Sequence, residues 1–148
     1  MRLVVQRSKN SSVSVDGKIT GQIDKGLVVL VGFTNYDTIN DIKYLAKKLV
    51  NLRIFDDENH IMNKSLIDIN GSILSISQFT LYADSKKGNR PSYINAMKSE
   101  LAKPLYEEFN EELKRYNVLV ETGIFGADMN VSITNDGPVT IILESETK

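Results

Sequence analysis

Two short stretches concentrate groups that could do chemistry: Ser77-Gln78-Phe79-Thr80-Leu81 and Thr134-Asn135-Asp136-Gly137-Pro138-Val139-Thr140. In the first, hydroxyl and amide side chains end an apolar run. Strand alternation would place Gln78 and Thr80 on one face, with Ser77, Phe79 and Leu81 on the other. Either a strand leaves the core for solvent here, or its end lines a pocket. In the second stretch Asn-Asp-Gly suits a tight turn between two strands, yet Pro138 removes a backbone donor where the next strand should start. Gly137 relieves the crowding that proline imposes on its neighbour and lets other groups approach the backbone. Two readings stay open for this pair: a rigid trans turn, or a cis peptide that turns both flanking carbonyls to one side at a cost of about 0.5–1 kcal/mol.

Other catalytic chemistry is scarce. The chain has no cysteine, which removes disulfides, thiolate nucleophiles and cysteine zinc sites. Its one histidine, His60, lies in the acidic stretch Asp56-Asp57-Glu58-Asn59-His60, which reads as a solvated loop because consecutive loop residues seldom all point inward. No G-x-S-x-G elbow, phosphate-binding Walker loop or G-x-G-x-x-G fingerprint occurs. No metal site and no cofactor is expected. The loop from Asp84 to Tyr93 carries Lys86, Lys87 and Arg90, which are either a solvated basic loop or contacts for phosphate.

The elements that must position these residues follow from periodicity. Residues 1–8 read as a first strand, and Asp16-Gly17 sits between alternating segments as a two-residue hairpin turn. Residues 26–34 form a continuous apolar run, as in a strand buried on both faces. Ile39, Ile42, Leu45, Ala46, Leu49 and Leu52 make one helical stripe, with Thr38 and Asp41 as a capping box. Residues 71–83 return to a period of two. A second helix is predicted over 99–116, with Leu101, Leu105, Phe109 and Leu113 facing inward, Pro104 acceptable only in the first turn, and Asn117 as a left-handed stop. Strands near 118–122 and 128–134 precede the Gly-Pro turn, and a last strand closes the chain.

About seven strands and two helices give an α+β fold with a curled, largely antiparallel, roll- or barrel-like sheet. The whole of 1–148 is expected to be one domain, since 148 residues is a common domain size and no linker divides them. Apolar residues make up 41% and charged residues 25%, ordinary values for a globular protein. The formal net charge of -1 argues against a protein that coats nucleic-acid duplexes. The longest apolar run falls well short of the ~20 residues that a membrane span needs. A cytoplasmic protein without membrane contact is expected.

Taken together, "SQFTL" at 77–81 and "NDGPVT" at 135–140 resemble the two signature motifs of the D-aminoacyl-tRNA deacylases, also called D-tyrosyl-tRNA deacylases. "MRLVVQRS", "SVSVDG", "GLVVLVGF", "RPSY" and "FGADMNVS" resemble further segments of that family in the same order, so the likeness spans the chain. The resemblance implies an esterase that cleaves D-amino acids, and also mischarged glycine, from the 3'-terminal adenosine of tRNA. It implies a homodimer with sites at the subunit interface, where a cis Gly137-Pro138 reaches into the partner's site and rejects L-residues. Ser77, Gln78, Phe79 and Thr80 would then line the reaction site. Gln78 and Thr80 would place water or substrate; the minority alternative is Thr80 as nucleophile, for which no neighbouring basic residue type is evident. Lys86, Lys87 and Arg90 would meet acceptor-stem phosphates, and Phe125 and Met129 would meet the terminal adenine. The competing readings are a non-catalytic RNA- or DNA-binding module and an esterase for simple esters.

Overall fold

Asp16 and Gly17 do turn a hairpin, both with positive φ (50° and 76°) as the two-residue turn requires. The strands on either side run longer than alternation alone predicts. The computed structural model describes residues 1–145. In it β1 (Arg2–Val15) unites two expected strands, and β2 (Lys18–Gly32) unites two more. There follow α1 (Ile39–Asn51), a small hairpin of β3 (Phe55–Asp56) and β4 (Met62–Lys64), and β5 (Ser72–Ser77). A 3-10 turn (Phe79–Tyr82), α2 (Ser99–Lys114), β6 (Leu119–Thr122) and β7 (Asn130–Glu144) complete the order.

The main sheet has the order β6-β5-β2-β1-β7. Its long pairings, β1 with β2 and β1 with β7, are antiparallel, and its short ones, β2 with β5 and β5 with β6, are parallel. Long strands must bend to stay packed, and a register shift at Val13/Ser14 supplies one bend. The hairpin end thereby curls back until Thr20 Oγ1 donates to Thr122 O at 3.4 Å, so the start of β2 meets β6.

The curl explains the continuous apolar run in β2. Leu27, Val29 and Val31 pack with Leu3, Val5, Ile73 and both helices on one face. Val28 packs with Val13, Ile23, Leu74 and Ile76 inside the curl. Both faces of the central strand are therefore dry.

Helix α1 starts as its sequence predicts. The Asp41 carboxylate accepts the Thr38 N–H at 2.7 Å, and the Thr38 hydroxyl accepts the Asn40 N–H at 3.3 Å. Helix α2 differs from expectation: Leu101 is 63% exposed, and the inward stripe is Ala102, Tyr106, Phe109 and Leu113. A strict spacing of four drifts by ~40° per step around a helix, so Leu101 leaves the stripe that Phe109 and Leu113 define. Pro104 lies beyond the first turn, where it removes the N–H that would have reached Glu100 O. Asn117 ends the helical segment with φ 58°. The acidic stretch forms the β3–β4 hairpin rather than a plain loop. Asp57 closes it, its carboxylate accepting the N–H groups of Asn59 (2.8 Å) and Ile61 (3.1 Å), bonds that hold its pKa below the usual carboxylate value.

Candidate active site

β5 follows β2 in parallel as far as the Val31–Ser77 pair, and Gln78 donates its N–H to Val31 O at 2.8 Å. There β2 ends, so the chain has no further partner and winds into the 3-10 turn. Gly32 makes this possible, because a Cβ there would lie 3.0 Å from Gln78 O and 3.0 Å from Leu81 Cβ. The expected strand over 71–83 thus stops at Ser77, and the alternation assigned to Gln78 and Thr80 does not hold. A turn brings them together instead: Gln78 Nε2 donates to Thr80 Oγ1.

This turn forms one lip of a cavity of about 660 Å³. Ser77, Gln78 and Phe79 line it from the strand end, and Phe125 and Met129 line it from the segment before β7. That segment is a loop, and the strand expected near 128–134 begins after it, at Asn130. Phe33 and the start of α2, through Ser99 and Ala102, complete the wall together with Met97. Five of the predicted residues, Ser77, Gln78, Phe79, Phe125 and Met129, are therefore brought together from two distant segments of the chain. Thr80 reaches the same lip through Gln78.

Asp128 is the only ionisable side chain lining the cavity among the described residues. His60 sits in the β3–β4 turn, outside this wall. No group of three or more His, Asp or Glu among the described residues is arranged to hold a metal. The polar equipment of the lip is amide, hydroxyl and backbone. Gln78 and Leu81 spend their N–H groups on Val31 O and Gln78 O. The N–H groups of Phe79 and Thr80, at the open end of the turn, take part in neither bond, and such first-turn donors lack partners within their own helix.

Behind the cavity Tyr106 fixes the strand end. Its hydroxyl donates to Ser75 O at 2.8 Å, and its ring lies 5.6 Å from that of Phe125. Burial raises the Tyr106 pKa, so the hydroxyl stays a donor at neutral pH.

The Gly137-Pro138 pair is not a turn between strands. It belongs to a bulge inside β7, where Thr140 pairs with Gln6 and Asn135 pairs with Ser8. Residues 136–139 therefore stand opposite Arg7 alone. The peptide bond is cis. Both residues are exposed, and neither lines the cavity, so a single chain does not unite them with residues 77–80.

Arg7 holds the bulge from beneath. It is only 9% exposed; its Nε donates to Asp136 O at 3.2 Å and lies 3.4 Å from the Asp136 carboxylate, while Nη1 donates to Ile54 O at 2.9 Å. Asn135 Nδ2 bonds Arg7 O and Val139 O across the bulge, each at 3.0 Å. Gly137 has φ 121°, and a Cβ on it would lie 2.9 Å from Val139 Cγ2 and 3.0 Å from Arg7 Nη2. Glycine is required there by conformation and by space.

Lys86, Lys87 and Arg90 are exposed on the loop that Asp84 and Ser92 clasp by mutual backbone bonds of 2.8 Å. Lys86 lines a second cleft of about 260 Å³ with Arg2 and Tyr82. Lys87 and Arg90 line neither hollow among the described residues. Arg7, Met97, Ser99, Ala102 and Tyr106 shape these two regions without standing among the expected site residues. Arg7 had left a signal, since alternation puts it on the face of Leu3 and Val5 and so buries a cation. The others announce nothing by type or spacing.

Comparison with known proteins bears on this arrangement. A family model described as D-Tyr-tRNA(Tyr) deacylase matches residues 4–144. A D-aminoacyl-tRNA deacylase of Fervidobacterium nodosum is 61% identical over 146 residues, covering 99% of this chain and 98% of its own. One of Bacillus cytotoxicus is 58% identical over 146 residues, covering 99% of this chain and 100% of its own. A solved structure described as a c-Myc DNA Unwinding Element Binding Protein superposes with TM-score 0.94 at 42% identity, over 99% of this chain and 100% of the other. A probable eukaryotic D-amino acid tRNA deacylase shares the fold with TM-score 0.83 at 17% identity, over 97% and 98% of the two chains.

Proposed function

The chain belongs to the D-Tyr-tRNA(Tyr) deacylase family, and from that premise we propose how a cavity without a basic side chain and a distant backbone bulge carry out one reaction. The protein is an enzyme that hydrolyses the ester between a D-amino acid and tRNA. The observation that carries the mechanism is the make-up of the lip: Ser77, Gln78 and Thr80 beside the N–H groups of Phe79 and Thr80, with no histidine in the wall.

Such a lip suits an ester that is already activated. The two free N–H groups receive the charge that develops on the carbonyl oxygen as water attacks, and Gln78 and Thr80 fix the water and the ester in line. The carbon–oxygen bond to ribose breaks and the new bond to water's oxygen forms. One proton passes to the ribose oxygen, with the adjacent 2'-hydroxyl as its nearest relay. Thr80 positions and is not acylated, because no basic side chain stands beside it to accept its proton. The apolar walls at Phe125 and Met129 take the adenine of the 3'-terminal adenosine.

Chirality is read by the bulge of a second copy. In a homodimer the exposed carbonyls of Gly137 and Pro138 meet the substrate's α-amino group at the partner's lip and leave no space for an L side chain. Discrimination by a clash needs a stiff wall, and the Arg7 clamp provides one. Glycine has no side chain to refuse, so mischarged glycyl-tRNA is also hydrolysed. Lys86, Lys87 and Arg90 meet acceptor-stem phosphates, and the reaction takes place in the cytoplasm, where translation supplies its substrate. No helix among the described residues is long and apolar enough to cross a membrane.

The test is hydrolysis of matched D-tyrosyl-, L-tyrosyl- and glycyl-tRNA. D-tyrosyl- and glycyl-tRNA should lose their amino acid, and L-tyrosyl-tRNA should not. Equal rates for both enantiomers, or none for either, would sink this reading. The relation to a protein described as binding a DNA unwinding element favours one rival, nucleic-acid binding without turnover. That rival expects retention of aminoacyl-tRNA or DNA with the ester intact.

A further inference from the structure

Phe79 is the lining residue that faces both ways. It forms part of the cavity wall, yet it is 57% exposed and packs edge-to-face on Tyr93, with ring centroids 5.1 Å apart. Tyr93 is itself 41% exposed and lines neither hollow. In an edge-to-face pair the ring that offers its edge keeps both faces clear of the other. Two large aromatic side chains held open to solvent at the rim of a cavity are costly surface with no packing purpose on this chain.

The segment that presents Tyr93 is fastened on both sides. Asp84 and Ser92 exchange backbone bonds, Thr34 Oγ1 donates to Asn95 O at 2.6 Å, and Met97 donates its N–H to Phe33 O at 3.0 Å. A ring on a pinned segment loses little freedom on binding. Charge then sets the direction. The segment before β7 brings exposed Asp128 to the cavity, and its charge repels a nucleic-acid backbone. The rim at Phe79 continues along the 3-10 turn to Tyr82, whose cleft holds Lys86, Asp84 and an Arg2 paired with Glu144, and on to exposed Lys87 and Arg90 in the same loop, where basic groups outnumber acidic ones.

Resting on the reading of the cavity as the seat of the terminal adenosine, we propose that Tyr93, backed by Phe79, is a stacking platform for the base of the preceding nucleotide. The unpaired 3' strand of the tRNA leaves the cavity over this pair and runs on toward the loop that carries Lys86, Lys87 and Arg90. Stacking on an aromatic face is sequence-tolerant, and it suits a strand end common to all tRNAs. The enzyme would thus read two nucleotides of single strand before any contact with the duplex.

The experiment compares two small substrates, D-tyrosyl-adenosine and D-tyrosyl-cytidylyl-adenosine, in wild type, Tyr93→Ala and Tyr93→Phe. In the wild type the added cytidine should lower KM about tenfold, with kcat little changed. Tyr93→Ala should erase that advantage, and Tyr93→Phe should keep it because the ring and not the hydroxyl stacks. Three results would overturn the platform: no cytidine advantage in the wild type, an advantage that survives Tyr93→Ala, or an equal loss on both substrates. The last would make Tyr93 a prop for Phe79. A shift of Tyr93→Ala toward monomer in sedimentation velocity would instead assign the pair to a protein interface. Failure of the wild type on both esters and on D-tyrosyl-tRNA would sink the deacylase reading itself, an outcome distinct from each of these.

Discussion

The end of β5 and the bulge in β7 solve opposite problems. At the end of β5 the backbone gives up its strand partner and exposes N–H groups beside a cavity, with apolar walls from Phe125, Met129 and the start of α2. The bulge presents Gly137 and Pro138 to solvent, and a buried arginine holds it from beneath. In the proposed function the first region is the receptacle for the substrate. The second is the probe in the same proposal, and a methyl group on its Gly137 would press on Val139 and Arg7 at a positive φ. In the proposed dimer the probe of one copy completes the receptacle of the other. Rate and selectivity are then carried by different backbone segments, and mutations should separate them.

The largest effect is expected from Gly137→Ala. The new Cβ must displace Val139 or Arg7 at a positive φ, and a misplacement of about 1 Å in a positioning group costs roughly 100-fold. Folding and assembly should persist, while D-tyrosyl-tRNA hydrolysis falls by about that factor or L-tyrosyl-tRNA begins to react. Wild-type hydrolysis and selectivity in this variant would return the bulge to a purely architectural role. Arg7→Lys keeps the charge but loses the fork that spans Asp136 and Ile54. A loss of about 2 kcal/mol by denaturant unfolding is expected, with selectivity falling more than rate. If rate and selectivity fell together, the clamp would not belong to the probe alone.

Changes in the receptacle should act on rate. Thr80→Ala removes the partner of the Gln78 amide and should slow hydrolysis about tenfold with the D/L ratio kept, the cost of one positioning bond. Complete inactivation, or a trapped acyl-enzyme in the wild type, would make Thr80 the nucleophile. The smallest effect is expected from Tyr106→Phe, which leaves the ring on Phe125 and deletes the bond to Ser75 O. Stability should drop by about 1 kcal/mol with kcat/KM near wild type. A larger kinetic than thermodynamic effect would show that the strand end is held under functional tension by that hydroxyl.

How much of this was legible in advance depended on the range of the interaction. The hairpin at Asp16-Gly17, the capping box at Thr38 and Asp41, and the stop at Asn117 follow from contacts a few residues apart, and each forms where its residues stand. The α2 stripe was placed one residue off at its start, because a repeat of four imitates the helical period over two turns and departs from it over four. The strand expected over 71–83 and the turn expected at 134–140 differ from the structure for another reason. Ser77 ends β5 because β2 has ended at Gly32, and residues 136–139 bulge because β1 pairs across them with Gln6 and Ser8. Neither limit is written in the segment it governs.

The sequence by itself determined the class of fold, the two motifs, and the poverty of catalytic side chains. Tertiary structure alone decided that Phe125 and Met129 face Ser77 and Gln78 across one cavity, that Arg7 braces the bulge, and that the bulge lies outside the cavity of its own chain. The physical reason is that residue types fix which groups exist and local spacing fixes short-range geometry. Which groups meet is set by how strands of unequal length pair and curl, and no single segment carries that information.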